Sequence, residues 1–236
     1  MALRHAIFHP QLFYQIMKLN IKYDLEKDVE NYLRTLYKFD FEKHGRKNIE
    51  GQLLADYPPE FREKIKSAKN KEEAEKHIRD YIQNNFAQRT DLQKRIIDDF
   101  KDAWNTEGAK LIKKLEDVYG ENFPFKEITI YLVSNKRCPY NFKERWIMVY
   151  AKSGVKTKLY TLMHELNHFM FYYYFPPKKL EIKSKQEYES LKEALTVLTS
   201  PEEQGYPAQQ KLRAWLKEQK GTVGEILQNE KWKSLL

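Results

Sequence analysis

The sequence predicts an α+β fold in which a mostly helical N-terminal region precedes a small mixed sheet and a helix carrying His-Glu-x-x-His. Three observations predict it. Apolar residues recur at helical spacing through the first 120 positions, with no strand pattern to interrupt them. Two β-branched and aromatic runs, residues 128–133 and 146–150, then change the period. After them an apolar helix over residues 157–175 contains His164-Glu165-Leu166-Asn167-His168. The boundary between a helical region (1–122) and a second, motif-bearing domain (123–236) is placed where the period changes.

Taken in order, helical spacing is strongest over residues 25–41, 74–86 and 92–119. Pro58-Pro59 and the charged run 64–76 mark loops or helix starts, and Gly120 followed by Pro124 ends the last of these helices. Between the two strands, residues 138–142 read as a short edge strand, where Pro139 is tolerated, turning through residues 143–145. In the motif helix Leu159, Leu162, Met163, Leu166, Phe169 and Met170 share a face, and Pro176-Pro177 stops it. Residues 184–199 form the next helix, capped by Ser184 with Glu187 three positions on. Two short helices, near 208–220 and 222–233, complete the chain.

Composition excludes several classes. Charged residues make up 32% and hydrophobic residues 41%, with 16 Tyr and 13 Phe, which fits a packed interior better than disorder. No basic segment with a long apolar core opens the chain, and no stretch approaches a membrane span. Cys138 is the only cysteine, so no internal disulfide forms and a cytoplasmic setting is expected. The net charge of +8 is uneven: residues 1–120 carry 23 basic and 21 acidic side chains, the remainder 19 and 13. That excess near the motif can attract an acidic peptide or a nucleic acid, although no nucleic-acid motif accompanies it, and a solubilising lysine surface accounts for it more simply.

The motif carries the chemistry. Residues four apart on a helix lie about 40° from each other around its axis, so His164 and His168 can direct ring nitrogens to one metal, Zn²⁺. Glu165 lies about 100° further round, placed to reach a metal-bound water as general base. A catalytic zinc takes a third protein ligand. The extended form with a third histidine is excluded, because Phe171 and Tyr174 stand where glycine and histidine are required. No histidine follows His168 and no aspartate follows Asp117. Glu193 leads as third ligand because Ala194 beside it permits close helix approach. Glu187, which has a capping role, and Glu189 rank behind it. Cys138, an upstream cysteine of the kind peptide deformylases use, lacks their glycine-cysteine-leucine context.

A strand, an edge strand, another strand, the His-Glu-x-x-His helix and a glutamate-bearing helix together resemble the gluzincin clan of zinc metallopeptidases, the thermolysin-like enzymes, over roughly residues 123–200. Glu193-Ala194-Leu195-Thr196 resembles their third-ligand motif, and the short chain suggests a minimal member. The resemblance implies a zincin-like catalytic domain that hydrolyses peptide bonds, with Glu165 activating water and a peptide or protein as substrate. Two departures stand out: Val197 occupies the position where many members carry an aspartate that orients a ligand histidine, and the downstream lobe with a second catalytic histidine is absent. Tyr206 is the candidate donor to the oxyanion in its place. A substrate strand is expected to pair with the edge near residues 137–142. The rival expectations are a DNA-associated zinc hydrolase or protease, and an inactive zincin-fold interaction protein.

Overall fold

The computed structural model describes residues 17–36, 57–182 and 184–236. Its centre is a four-stranded mixed sheet of β1 (Lys18–Tyr23), β2 (Glu127–Val133), β3 (Tyr140–Asn141) and β4 (Trp146–Tyr150) in the order β1-β2-β4-β3. β1, β2 and β4 run parallel, while β3 pairs antiparallel with β4 at one edge. Helices α1 (Leu25–Leu36), α2 (Pro59–Ser67), α3 (Lys71–Ile82) and α4 (Thr90–Tyr119) precede β2. After β4 come α5 (Val155–Tyr174), α6 (Pro177–Leu180), α7 (Lys185–Leu195), α8 (Gln210–Glu218) and α9 (Val223–Gln228). The mixed sheet and most of the helices stand where the sequence predicts them, and the last five positions of the 25–41 helix lie outside the described residues.

β1 corrects the expectation that no strand interrupts the first 120 positions. Lys18, Asn20 and Lys22 face solvent while Leu19 and Ile21 are buried, a period of two. The strand pairs with β2 from Lys18↔Glu127 to Tyr23↔Leu132, so the region before residue 122 supplies one edge of the sheet. Lysines on that outer strand discourage further pairing.

One face of the sheet packs on α4 and α5. Leu19, Ile21, Ile128, Ile130, Leu132, Ile147 and Val149 meet Phe100, Trp104, Leu162, Leu166 and Phe169 in a single buried cluster. α5 is buried from Leu162 to Phe171 except at His164, as a helix in the centre of a core must be, which explains its near-continuous apolar sequence. Tyr119, the last residue of α4, donates its hydroxyl to Asn167 Oδ1 at 2.9 Å, fixing the rotation of α5. Gly120 then ends α4 with φ 69°, and a Cβ there would meet Thr222 Cγ2 at 2.7 Å, so neither backbone nor space admits another residue.

α1, α2 and α3 form a second apolar cluster around Val29, Tyr32, Phe61, Ile78 and Ile82. It is fastened to the carboxyl end of β2 by the fully buried Asp28, which accepts from Ser134 N at 3.0 Å and Ser134 Oγ at 2.7 Å. Asn31 Nδ2 donates to Arg137 O at 2.8 Å and Tyr32 OH to Ser134 O at 3.2 Å, tethering the loop that leads to β3. Asp28→Ala strands the Ser134 amide, and a stability loss of about 2–3 kcal/mol in urea unfolding is expected.

Candidate metal centre

His164 and His168 lie one turn apart on α5, their ring centroids 4.5 Å from each other, and Glu193 reaches them from the last turn of α7. One nitrogen from each histidine and one carboxylate oxygen of Glu193 lie within 4.8 Å of one another, a cluster able to hold a metal ion. Glu193 Oε2 is 3.5 Å from His164 Nε2, and Glu193 Oε1 is 3.4 Å from His168 Nε2. An N–H···O hydrogen bond settles at about 2.9–3.0 Å. Ligand atoms on a tetrahedron with bonds of about 2.0–2.1 Å stand about 3.3–3.4 Å apart. Glu193 therefore stands at about that edge length from each imidazole, through a different carboxylate oxygen to each, and is too far from both for a good direct hydrogen bond.

Glu165 sits behind the cluster, 8% exposed, with Oε2 at 4.0 Å from His168 Nε2 and without a protein hydrogen-bond partner. Burial pushes its carboxyl up to about 8, with His164 pulling the other way. His168 is buried, and desolvation takes its imidazole down to about 3 against the opposing pull of Glu193, so the ring is neutral as a ligand must be. Burial also disfavours the imidazolium of His164, but the carboxylates of Glu193 and Glu203 outweigh it and hold the ring up at about 10. Glu193 is kept well below the usual carboxylate range by both histidines, despite burial. A proton on His164 and a cation are thus alternatives for the same carboxylate pocket.

Two carboxylates and two cations surround the ligands. Glu203, in the turn after α7, accepts from His164 Nδ1 with Oε1 at 3.1 Å and Oε2 at 3.3 Å, leaving Nε2 to face the cluster. This carboxylate orients the His164 ring. Arg213 on α8, 2% exposed, fixes the turn by donating to Glu203 O at 2.7 Å and to Glu193 O at 2.9 Å. On the other flank the buried Lys192 places its ammonium 3.0 Å from Glu193 Oε1, 2.8 Å from Glu189 Oε2 and 2.7 Å from the Tyr140 hydroxyl. Its three donors meet three acceptors. Outer partners of this kind typically alter metal affinity about 10–100-fold, and Glu203→Ala is expected to weaken zinc binding within that range in a competition titration against a chromophoric chelator.

Of the residues singled out from sequence, His164, Glu165, His168 and Glu193 converge. Glu187 serves as the N3 residue of α7, its amide donated to Ser184 Oγ at 3.4 Å. Glu189 is engaged by Tyr172 and Lys192 and lies outside the cluster. Cys138 is not a member either; burial pushes its thiol up to about 12, with the nearby Glu165 charge adding to the effect. Tyr206 is 64% exposed, and among the described residues no hydrogen bond or ring contact joins its side chain to the cluster.

Sequence reasoning missed Glu203, Arg213 and Lys192. Lys192 had a signal: it shares the buried stripe of α7 with Tyr188, Leu191 and Leu195, where a lysine needs a partner. Glu203 had none, since it lies in an aperiodic turn. No protein-family model matches the chain, and no curated protein or solved structure does so either. Among the described residues no helix is long and apolar enough to cross a membrane.

Proposed function

We propose that this chain is a zinc-dependent peptide hydrolase of gluzincin type, built on a zincin-like domain. The observation that carries the proposal is the 3.4–3.5 Å spacing of Glu193 from both motif imidazoles, with an unpartnered buried carboxylate of Glu165 beside them. His164, His168 and Glu193 would hold the ion, which when bound supplies Lewis acidity and lowers the pKa of a water. Glu165 takes the proton from the attacking water and returns it to the leaving amine. Glu203 and Lys192 hold the ligands in register, and the exposed side of β3 offers main-chain groups to which a peptide adds as a further strand. A cytoplasmic setting agrees with a single cysteine kept protonated by burial.

The test is a digest of a peptide library with protein reconstituted to a measured zinc content, in parallel with chelator-treated protein. Zinc at one equivalent per chain and cleavage that disappears on chelation are expected. Cleavage indifferent to the chelator, or a chain that takes up no zinc, would end the proposal.

A further inference from the structure

Peptide hydrolysis needs a donor for the oxyanion that develops on the scissile carbonyl. Tyr206 is largely exposed, and among the described residues no contact joins its side chain to the cluster. Resting on the peptidase proposal above, we propose that the Tyr140 hydroxyl is that donor.

Position is the first reason. Tyr140 lies on β3, the sheet edge to which an extended peptide would add. Its ring is tilted against the imidazole of His168, with 5.4 Å between centroids. Its hydroxyl oxygen is one Lys192 ammonium away from Glu193 Oε1, at 2.7 and then 3.0 Å. The residue is half-buried. A peptide pairing with this edge therefore runs alongside the residue whose ring rests against His168.

Proton accounting is the second reason. Lys192 can only donate, so the oxygen of Tyr140 is its acceptor. Tyr172 OH lies 3.0 and 3.1 Å from the two oxygens of Glu189, which as a carboxylate can only accept, so the Tyr172 proton is committed there. The Tyr140 proton is left with the Tyr172 oxygen at 3.1 Å, longer than the O–H···O mode of about 2.7–2.8 Å. A bond to an anionic oxygen is roughly twice as strong as one between neutral groups, so an oxyanion beside Tyr140 captures this proton from Tyr172. The ammonium behind the phenol polarises it in the same sense. No chemical bond is made or broken in this exchange; one hydrogen bond replaces another.

The test compares wild type and Tyr140→Phe, both zinc-loaded, using a cleaved peptide and two inhibitors of the same sequence. One inhibitor carries a phosphonate at the scissile position, a tetrahedral anion. The other carries a thiol, which binds metal without imitating the oxyanion. Loss of a single oxyanion donor costs about a hundredfold or more in kcat, and a matching loss of phosphonate affinity is expected. KM, zinc content and thiol affinity should stay within about threefold, since they do not depend on this donor. Unchanged kcat and unchanged phosphonate binding would overturn the inference. So would equal weakening of both inhibitors, or loss of zinc, because either result makes Tyr140 a prop for Lys192 and Glu193. Failure of the peptidase proposal has a separate signature: wild type itself neither cleaves the library nor binds either inhibitor, and the inference then falls with it.

Discussion

On the proposed peptidase reading, Glu165→Gln is expected to stop peptide cleavage while zinc stays at one equivalent per chain. Glutamine keeps the shape of the side chain but cannot accept a proton from water, and general-base contributions of this kind are about 10²–10⁴-fold. Zinc is retained because Glu165 stands outside the three-residue cluster. A second readout needs no substrate. In the metal-free protein burial raises the folded-state carboxyl to about 8 from its ordinary value of 4.5. Between those values the folded chain holds a proton that the unfolded chain releases, so this group makes stability fall as pH rises through the window. Substitution by glutamine removes that dependence. Urea midpoints of the metal-free proteins should therefore diverge from pH 6.5 to pH 8, the variant becoming the more stable. Parallel curves would mean that the carboxyl is not buried, and full activity would deny it the role of base.

Glu193→Gln is expected to weaken zinc binding by more than the roughly 10–100-fold typical of outer partners, because it removes a ligand. The same substitution should alter how affinity depends on acidity. In wild type His164 holds a proton up to about 10 when no metal is present, because Glu193 and Glu203 overcome the burial that opposes it. Zinc must displace that proton, so affinity should climb about tenfold or more per pH unit near neutrality, and binding should release at least about one proton, more where Glu165, protonated up to about 8 without metal, gives up its own as well. Calorimetry in buffers of different ionisation enthalpy reads the released proton directly. With glutamine at 193, one of the two charges that hold the imidazolium is gone, and the released fraction should drop. Unaltered affinity would transfer the third-ligand role to another residue.

The parts legible from sequence were those governed by a period. Residues 164–168 had to be helical for two histidines to share a metal, and the apolar spacing around them agreed. Glu193 followed by elimination, helped by Ala194, whose side chain is fully buried where α7 meets the core. β1 was missed although Leu19, Ile21 and Tyr23 alternate with Lys18, Asn20 and Lys22. Six residues of alternation are weak evidence without the partner strand that buries one side. Glu203 was invisible for a different reason: its role comes from a turn that Arg213 folds back onto His164, a tertiary event with no local pattern. Tyr140 and Lys192 belong together only once the edge strand is laid over α7. Catalytic motifs are local; the residues that hold them in place are often not.

The pairing of Lys18–Tyr23 with Glu127–Leu132 has a consequence for biosynthesis. A ribosome delivers the first of these segments about a hundred residues before the second, and at about 5–20 residues per second the delay lasts several seconds. Throughout it, the nascent chain carries an apolar ribbon with no mate. Lys18 and Lys22, on either side of Asn20, place charge along that segment, a feature that disfavours pairing with a neighbouring polypeptide.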